Sequence, residues 1–229
     1  MTRNEFQQLT ARKIVILDGA TGTELVKQGM PGGVCPESWV LEHPEAIRRV
    51  QNAYRDAGSD IVYAPTFGGN RCKLAEFGLE RECASINRRL AELAKEAAGD
   101  SLVFGDLAPT GRFIAPYGEM DFEEAVAIYR EQAEALRDGG VDGFVVETML
   151  DLQEARAALL GIREAAEELP VIVTLTFEKS GRTLTGNHPV AALVALQALG
   201  QTPSAATARP DRKTWRRSSA SLNRSREYR

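Results

Sequence analysis

An α/β fold around a parallel sheet is predicted by three observations. Short apolar runs recur along the 229 residues, an amphipathic stretch follows each run, and polar residues stand at the same end of every run. The runs are Ile14–Leu17, Ile61–Ala64, Leu102–Phe104, Phe144–Val146 and Val171–Leu175. Each is rich in β-branched or aromatic side chains and short enough to be a strand buried on both faces. Helical patterns fill the intervals, over His43–Ala57, Glu80–Ala98, Phe122–Arg137, Leu152–Glu168 and Pro189–Leu199. Asp121 and Asp151 stand at N-cap positions, and Gly58, Gly99 and Gly139 stand where helices should stop.

The strand ends choose between two architectures. An open doubly wound sheet would carry a glycine-rich phosphate loop after its first strand. A (β/α)8 barrel instead gathers polar groups from nearly every strand on one rim, where its active site lies. Strand one ends in Asp18-Gly19-Ala20-Thr21-Gly22-Thr23-Glu24, strand two in Pro65-Thr66-Phe67-Gly68-Gly69-Asn70-Arg71 and strand three in Gly105-Asp106. Strand four ends in Glu147-Thr148 and strand five in Thr176-Phe177-Glu178. The prediction is therefore the TIM-barrel class, with about five of its eight βα units present. Residues 1–200 are expected to form this incomplete barrel and residues 201–229 a basic tail.

Charge divides the chain at the same place. The formal net charge is −4, but residues 201–229 carry eight Lys or Arg against Asp211 and Glu227, a tail of +6 on a body of −10. An acidic body argues against a nucleic-acid-binding core, which needs a basic face. Three cysteines at long spacings, Cys35, Cys72 and Cys83, make neither a disulfide framework nor a paired zinc knuckle. No apolar run approaches the roughly 20 residues of a membrane span, and the first residues lack the apolar stretch of a signal peptide. A reducing, cytoplasmic setting without membrane or nucleic-acid partners is expected.

The strand-end motifs suggest capture of a small zwitterion. In the loop after strand one, glycines allow a sharp turn that exposes backbone amides beside Asp18, so amides would take a carboxylate and Asp18 an ammonium. The alternative is a tight turn with Asp18 capping the next segment. Glu147 ends an apolar strand, where a carboxylate needs a cation. That cation is either a ligand ammonium or an arginine such as Arg71. Asp106 fits the same rim or a capping turn running to Gly111. His43 and His188 each precede a proline at a helix start, and no Ser-His-Asp set, HExxH or nucleophile elbow is present.

These motifs resemble the homocysteine S-methyltransferase family, and within it the homocysteine-binding domain of cobalamin-dependent methionine synthase. The matching stretches are Ile16 to Leu25, Thr66 to Arg71 with Lys73-Leu74 and Phe77-Gly78-Leu79, Gly105-Asp106 with Pro109-Thr110-Gly111, Glu147-Thr148, and Arg182 to Gly186, in uninterrupted order over roughly residues 12–200. The resemblance implies a (β/α)8 barrel that transfers a methyl group to the thiol of homocysteine, giving methionine. Zinc on three cysteines would deprotonate that thiol, and a corrinoid (cobalamin) protein or domain would carry the methyl group. It implies that Asp18 and Glu147 hold the homocysteine ammonium, that the backbone of Gly19, Ala20 and Thr21 holds its carboxylate, and that Glu24, Thr66, Asn70 and Asp106 complete the substrate site.

The metal ligands are where this sequence departs from the family. The family's Asn-Cys-Ser after strand six and its Gly-Gly-Cys-Cys-Gly are absent from the 229 residues, and Cys35, Cys72 and Cys83 match no ligand position. Codons for Gln201 to Trp215, read one base earlier, admit Ala-Asp-Ala-Val-Gly-Cys-Asn-Cys-Ser-Thr-Gly-Pro-Glu-Asp-Met, the family's strand six and first zinc loop. The tail therefore reads as a frameshifted continuation with Ala208 in the place of the first zinc cysteine; a genuine disordered basic tail is the alternative. A methyltransferase impaired by the loss of its zinc ligands is the leading functional expectation. An inactive amino-acid-binding or interaction protein is the second. Either would leave exposed sheet edges prone to aggregation or swapping.

Overall fold

The structure, a computed structural model, describes residues 1–199 together with the backbone of residues 204–208. One parallel sheet runs through it in sequence order: β1 (Ile61–Tyr63), β2 (Leu102–Leu107), β3 (Gly143–Met149), β4 (Val171–Phe177) and β5 (Ser204–Ala208). Four helices precede β1: α1 (Arg3–Arg12), α2 (Thr21–Lys27), α3 (Pro36–Glu42) and α4 (Pro44–Asp56). Helices α5 (Arg71–Ala75) and α6 (Cys83–Ala97) join β1 to β2, α7 (Phe122–Asp138) joins β2 to β3, α8 (Leu152–Ala165) joins β3 to β4, and α9 (Pro189–Ala198) joins β4 to β5. Parallel neighbours require such crossovers, and the repeated βα order makes this an α/β barrel-type sheet. The described sheet is open, since β1 and β5 do not pair with each other.

Alternation along the strands sorts the core into two layers. Val62, Val103, Phe144, Val146, Val171 and Val173 face the helices and meet Ala91, Tyr129, Leu136, Ala155 and Leu159. Ile61, Tyr63, Phe104, Val145 and Ile172 point the other way, into the concave interior, where they pack with Phe6 of α1.

Helix α1 was not expected from apolar periodicity, yet its start is legible as a capping box. The Glu5 amide donates to Thr2 Oγ1 (3.3 Å) while the Thr2 amide donates to Glu5 Oε2 (2.7 Å). The Arg3 amide donates to the Glu168 carbonyl at 2.9 Å, anchoring α1 where the chain enters β4. The Phe6 ring then sits 5.4 Å from that of Phe104.

Two local expectations change. Ile14–Leu17 is not a full strand, because only Leu17 forms a bridge, to Ile61. Its outer side chains have no described cover: Ile14 is 85% exposed. The amide of Ile16 is taken by the Asp60 carboxylate (2.9 Å) in place of a ladder carbonyl. At the end of α7, Gly139 is the C-cap with φ −78°, and Gly140 takes the left-handed turn at φ +87°. Gly139 serves close packing, since a Cβ there would lie 2.5 Å from Ala91 Cβ and 2.7 Å from the Arg88 carbonyl oxygen. Asp121 and Asp151 do cap α7 and α8. The expected tail, residues 201–229, lies outside the described residues apart from the backbone of 204–208, which extends the sheet beside β4.

Removing the α1 anchor is expected to be costly. Phe6→Ala should lower stability by about 3 kcal/mol through the cavity it leaves, read as a fall in the urea midpoint; a change below about 1 kcal/mol would show that α1 does not seal the interior.

Candidate functional site

Strands β1 to β4 each carry a polar residue at the end of their interior face. Two residues beyond Phe104 comes Asp106, two beyond Val145 comes Glu147, four beyond Ile172 comes Thr176, and Tyr63 itself lies in the interior layer. Asp18 follows Leu17 at the start of the series. The ladders run further than the apolar runs suggested, so Asp106 lies within β2 and Glu147 within β3.

The Asp18 carboxylate accepts the Tyr63 amide on Oδ2 at 2.8 Å, while its Oδ1 is buried without a partner. Asp106 is 5% exposed, and its Oδ1 is likewise unpartnered. Burial, with Glu147 adding repulsion, pushes the Asp18 carboxyl up to about 7 against the pull of the Tyr63 amide. Burial also raises Asp106 well above the carboxylate range, helped by Glu147, Asp18 and Glu37, and it raises Glu147. The Tyr63 phenol is held protonated by its own burial and by the same three acids, Glu147 foremost.

No cation among the described residues answers this charge. Among the described residues no ion pair includes Asp18, Asp106 or Glu147, and Arg71 pairs with Glu131 at 2.8 Å. An arginine partner for Glu147 is thus not formed. Asp18 is not a cap either, since the N-cap of α2 is Ala20 with no side-chain bond. Such an arrangement is suited to receiving a ligand cation.

Around the acids, buried side chains brace the loop after β1. Gln51 Nε2 donates to the Tyr63 carbonyl (2.9 Å), Gln132 Nε2 to the Thr66 carbonyl (2.9 Å) and Asn87 Nδ2 to the Gly69 carbonyl (2.7 Å). Glu37, 3% exposed, accepts the Gly68 amide on Oε1 at 2.7 Å. Thr66 Oγ1 donates to the Asp106 carbonyl (2.9 Å) and accepts the Asp106 amide (3.1 Å), so Thr66 holds β2 to the loop. Asn70 is fully buried and caps α5 through Oδ1, leaving its Nδ2 unpartnered. The sequence reading missed Glu37, Gln51, Asn87 and Gln132, whose positions on helices carry no local mark of function.

The other expected site residues lie on the rim. Gly19 approaches Tyr54 so closely that a Cβ would meet its hydroxyl at 2.9 Å, and Tyr54 Oη donates to the Ala20 carbonyl at 3.1 Å. Thr21 opens α2. Glu24 pairs with Lys27 at 2.6 Å on the same helix. Thr148, beside Glu147, has φ +58°, and the β3–β4 register shifts between Val146 and Met149. Its amide donates to Thr174 Oγ1 (2.9 Å), which holds the bulge that carries Glu147.

An α/β barrel-type protein with an acidic, cation-seeking mouth is the class that fold and site define. Comparison with known proteins makes it specific: the sequence model of the homocysteine S-methyltransferase family matches residues 15–208, and the chain belongs to that family. Methionine synthase of Mycobacterium leprae is 30% identical over 209 residues, and that of Mycobacterium tuberculosis 28%. Each match covers 83% of this chain but only 17% of the relative, so the chain spans under a fifth of those proteins' length. The crystal structure of the metallated homocysteine methyltransferase MmuM from Escherichia coli aligns at TM-score 0.74 and 26% identity, covering 85% of this chain and 74% of that one.

Two measurements test this geometry. All three carboxyls are raised in the folded protein, so the native state holds protons that the unfolded chain releases. Stability should therefore fall as pH rises from the unfolded value, 3.8 for aspartate, through about 7 for Asp18. Asp18→Asn should flatten this decline, giving a higher urea midpoint than wild type at pH 8 and no gain at pH 4; equal slopes would contradict the burial of an uncompensated Asp18. Separately, Thr148→Gly should raise the melting temperature, by the equivalent of about 1 kcal/mol, because glycine adopts positive φ without strain.

Proposed function

We propose that this chain is a homocysteine-binding unit of the methionine synthase type, holding the substrate ammonium on Asp18 and Glu147 with Asp106 beside them. The observation that carries the reading is the set of buried and half-buried carboxylates with no cation among the described residues. A substrate ammonium supplies the missing charge and lets the acids ionise. The amides from Gly19 to Thr21, at the start of α2, would take the carboxylate, and Thr66 and Asn70 shape the mouth from the braced loop. Within the family reading, the methyl group comes from a corrinoid protein or domain and the product is methionine.

Zinc does not fit the described residues. No group of three or more His, Cys, Asp or Glu side chains among them could hold a metal ion. Cys35 donates to Glu37 Oε2 (3.4 Å), Cys83 to the Gly69 carbonyl (3.3 Å), and Cys72 lies half-buried on α5. Burial raises all three thiols, Cys83 to about 12, which is the reverse of what a thiolate ligand needs. The side chain of Ala208, the position assigned to a zinc cysteine, lies outside the described residues. This disagreement favours a second reading, capture of the amino acid without chemistry. We read residues 1–200 as the barrel unit and 201–229 as a frameshifted continuation; the nucleotide sequence across codon 200 tests that directly, and an early stop in the shifted frame would refute it.

Calorimetric titration with homocysteine should show binding, and Asp18→Asn or Glu147→Gln should each weaken it about tenfold or more. Absence of binding, or unchanged affinity in both variants, would refute the reading. Purified chain is expected to contain less than stoichiometric zinc and to show negligible methyl transfer; stoichiometric zinc with turnover would show that the chemistry survives.

A further inference from the structure

Among the polar residues of the interior rim, Thr176 has no assigned task. It lies on the interior face of β4, is 4% exposed, and its hydroxyl has no hydrogen-bond partner. Thr174, two residues earlier on the same face, shows the contrast: its hydroxyl oxygen accepts the Thr148 amide. A buried hydroxyl left unsatisfied by the described residues is destabilising, and a ligand in the mouth is a partner that would satisfy it.

The layout of the mouth indicates which part of a ligand that is. The ammonium acceptors centre on Asp18, Asp106 and Glu147, and the exposed amides of residues 19–21 lie beside Asp18. The charged end of an α-amino acid therefore docks on the side of the mouth nearest Leu17 and β1. Its side chain is then free to extend across the interior toward β4. Thr176 lies there, on β4, one strand past Glu147, and it makes no hydrogen bond to any of the three acids. A hydroxyl can donate to a sulfur and can also accept from a thiol.

Resting on the homocysteine reading above, we propose that Thr176 contacts the sulfur of the bound amino acid and makes the site prefer a thiol over an apolar side chain of the same length. Thr176 is then a specificity-determining residue, separate from the groups that hold the ammonium.

Calorimetric titration under reducing conditions with homocysteine and with norvaline, which carries a methyl in place of the thiol, provides the test. Wild type should favour homocysteine about three- to tenfold, the range of one net hydrogen bond. Thr176→Val, which removes the hydroxyl but keeps the branch, should bring the ratio near one while norvaline affinity stays within about twofold. Thr176→Ser should restore the preference. Thr176→Val should also melt no lower than wild type, because it removes an unsatisfied buried group. An unchanged ratio in Thr176→Val, or equal weakening of both ligands, would overturn the inference while leaving the homocysteine reading intact. Failure of wild type to bind either amino acid would instead overturn that reading and this inference with it.

Discussion

Three carboxyl groups, Asp106 buried and Asp18 and Glu147 half-buried, meet at one end of a parallel sheet with no cation among the described residues to match them, and the rest of the structure is arranged around that constraint. Burying an unpaired carboxylate is costly, and the molecule meets the cost by raising the proton affinity of Asp18, Asp106 and Glu147 until a cation arrives. Placed on a loop in open water, the same residues would be ordinary surface acids. Their position at the interior ends of successive strands, above a floor of Ile61, Phe104, Val145 and Ile172, is what raises their proton affinity.

The acids are held by groups that never need to touch a ligand. Gln51, Gln132, Asn87 and Glu37 come from four helices and converge on a single loop, each binding a backbone group between Tyr63 and Gly69. Thr66 then ties that loop to β2 at Asp106 itself. On the other side, the left-handed Thr148 and the register shift turn Glu147 inward, with Thr174 pinning the turn. Polar groups braced by buried amides can hold their positions with or without an occupant, as preorganised binding requires.

Local sequence patterns foretold much of this. Runs of β-branched residues announced β1 to β4, and aspartates announced the N-termini of α7 and α8, because strand burial and helix capping act over a few residues. Asp18, Asp106 and Glu147 stood out in the sequence because an acid at the end of an apolar strand is anomalous. Thr176 was legible only as one polar residue at a strand end and Tyr63 not at all, since tyrosine and threonine are common in strands and only the alternation of faces reveals that these two look inward. Ile14–Leu17 read as a full strand, yet only Leu17 pairs, because a strand depends on its neighbours as well as on its own residues.

By itself the sequence determined the α/β class, the order of the units, the family, and the acids that set the chemistry of the mouth, since these follow from periodicity and from residue types at strand ends. The tertiary structure decided which acids share one field, that Arg71 serves Glu131 and not Glu147, that Glu24 pairs with Lys27, and that the three cysteines form no disulfide. Those outcomes depend on distances between segments remote in the chain, and electrostatic coupling is set by distance and burial.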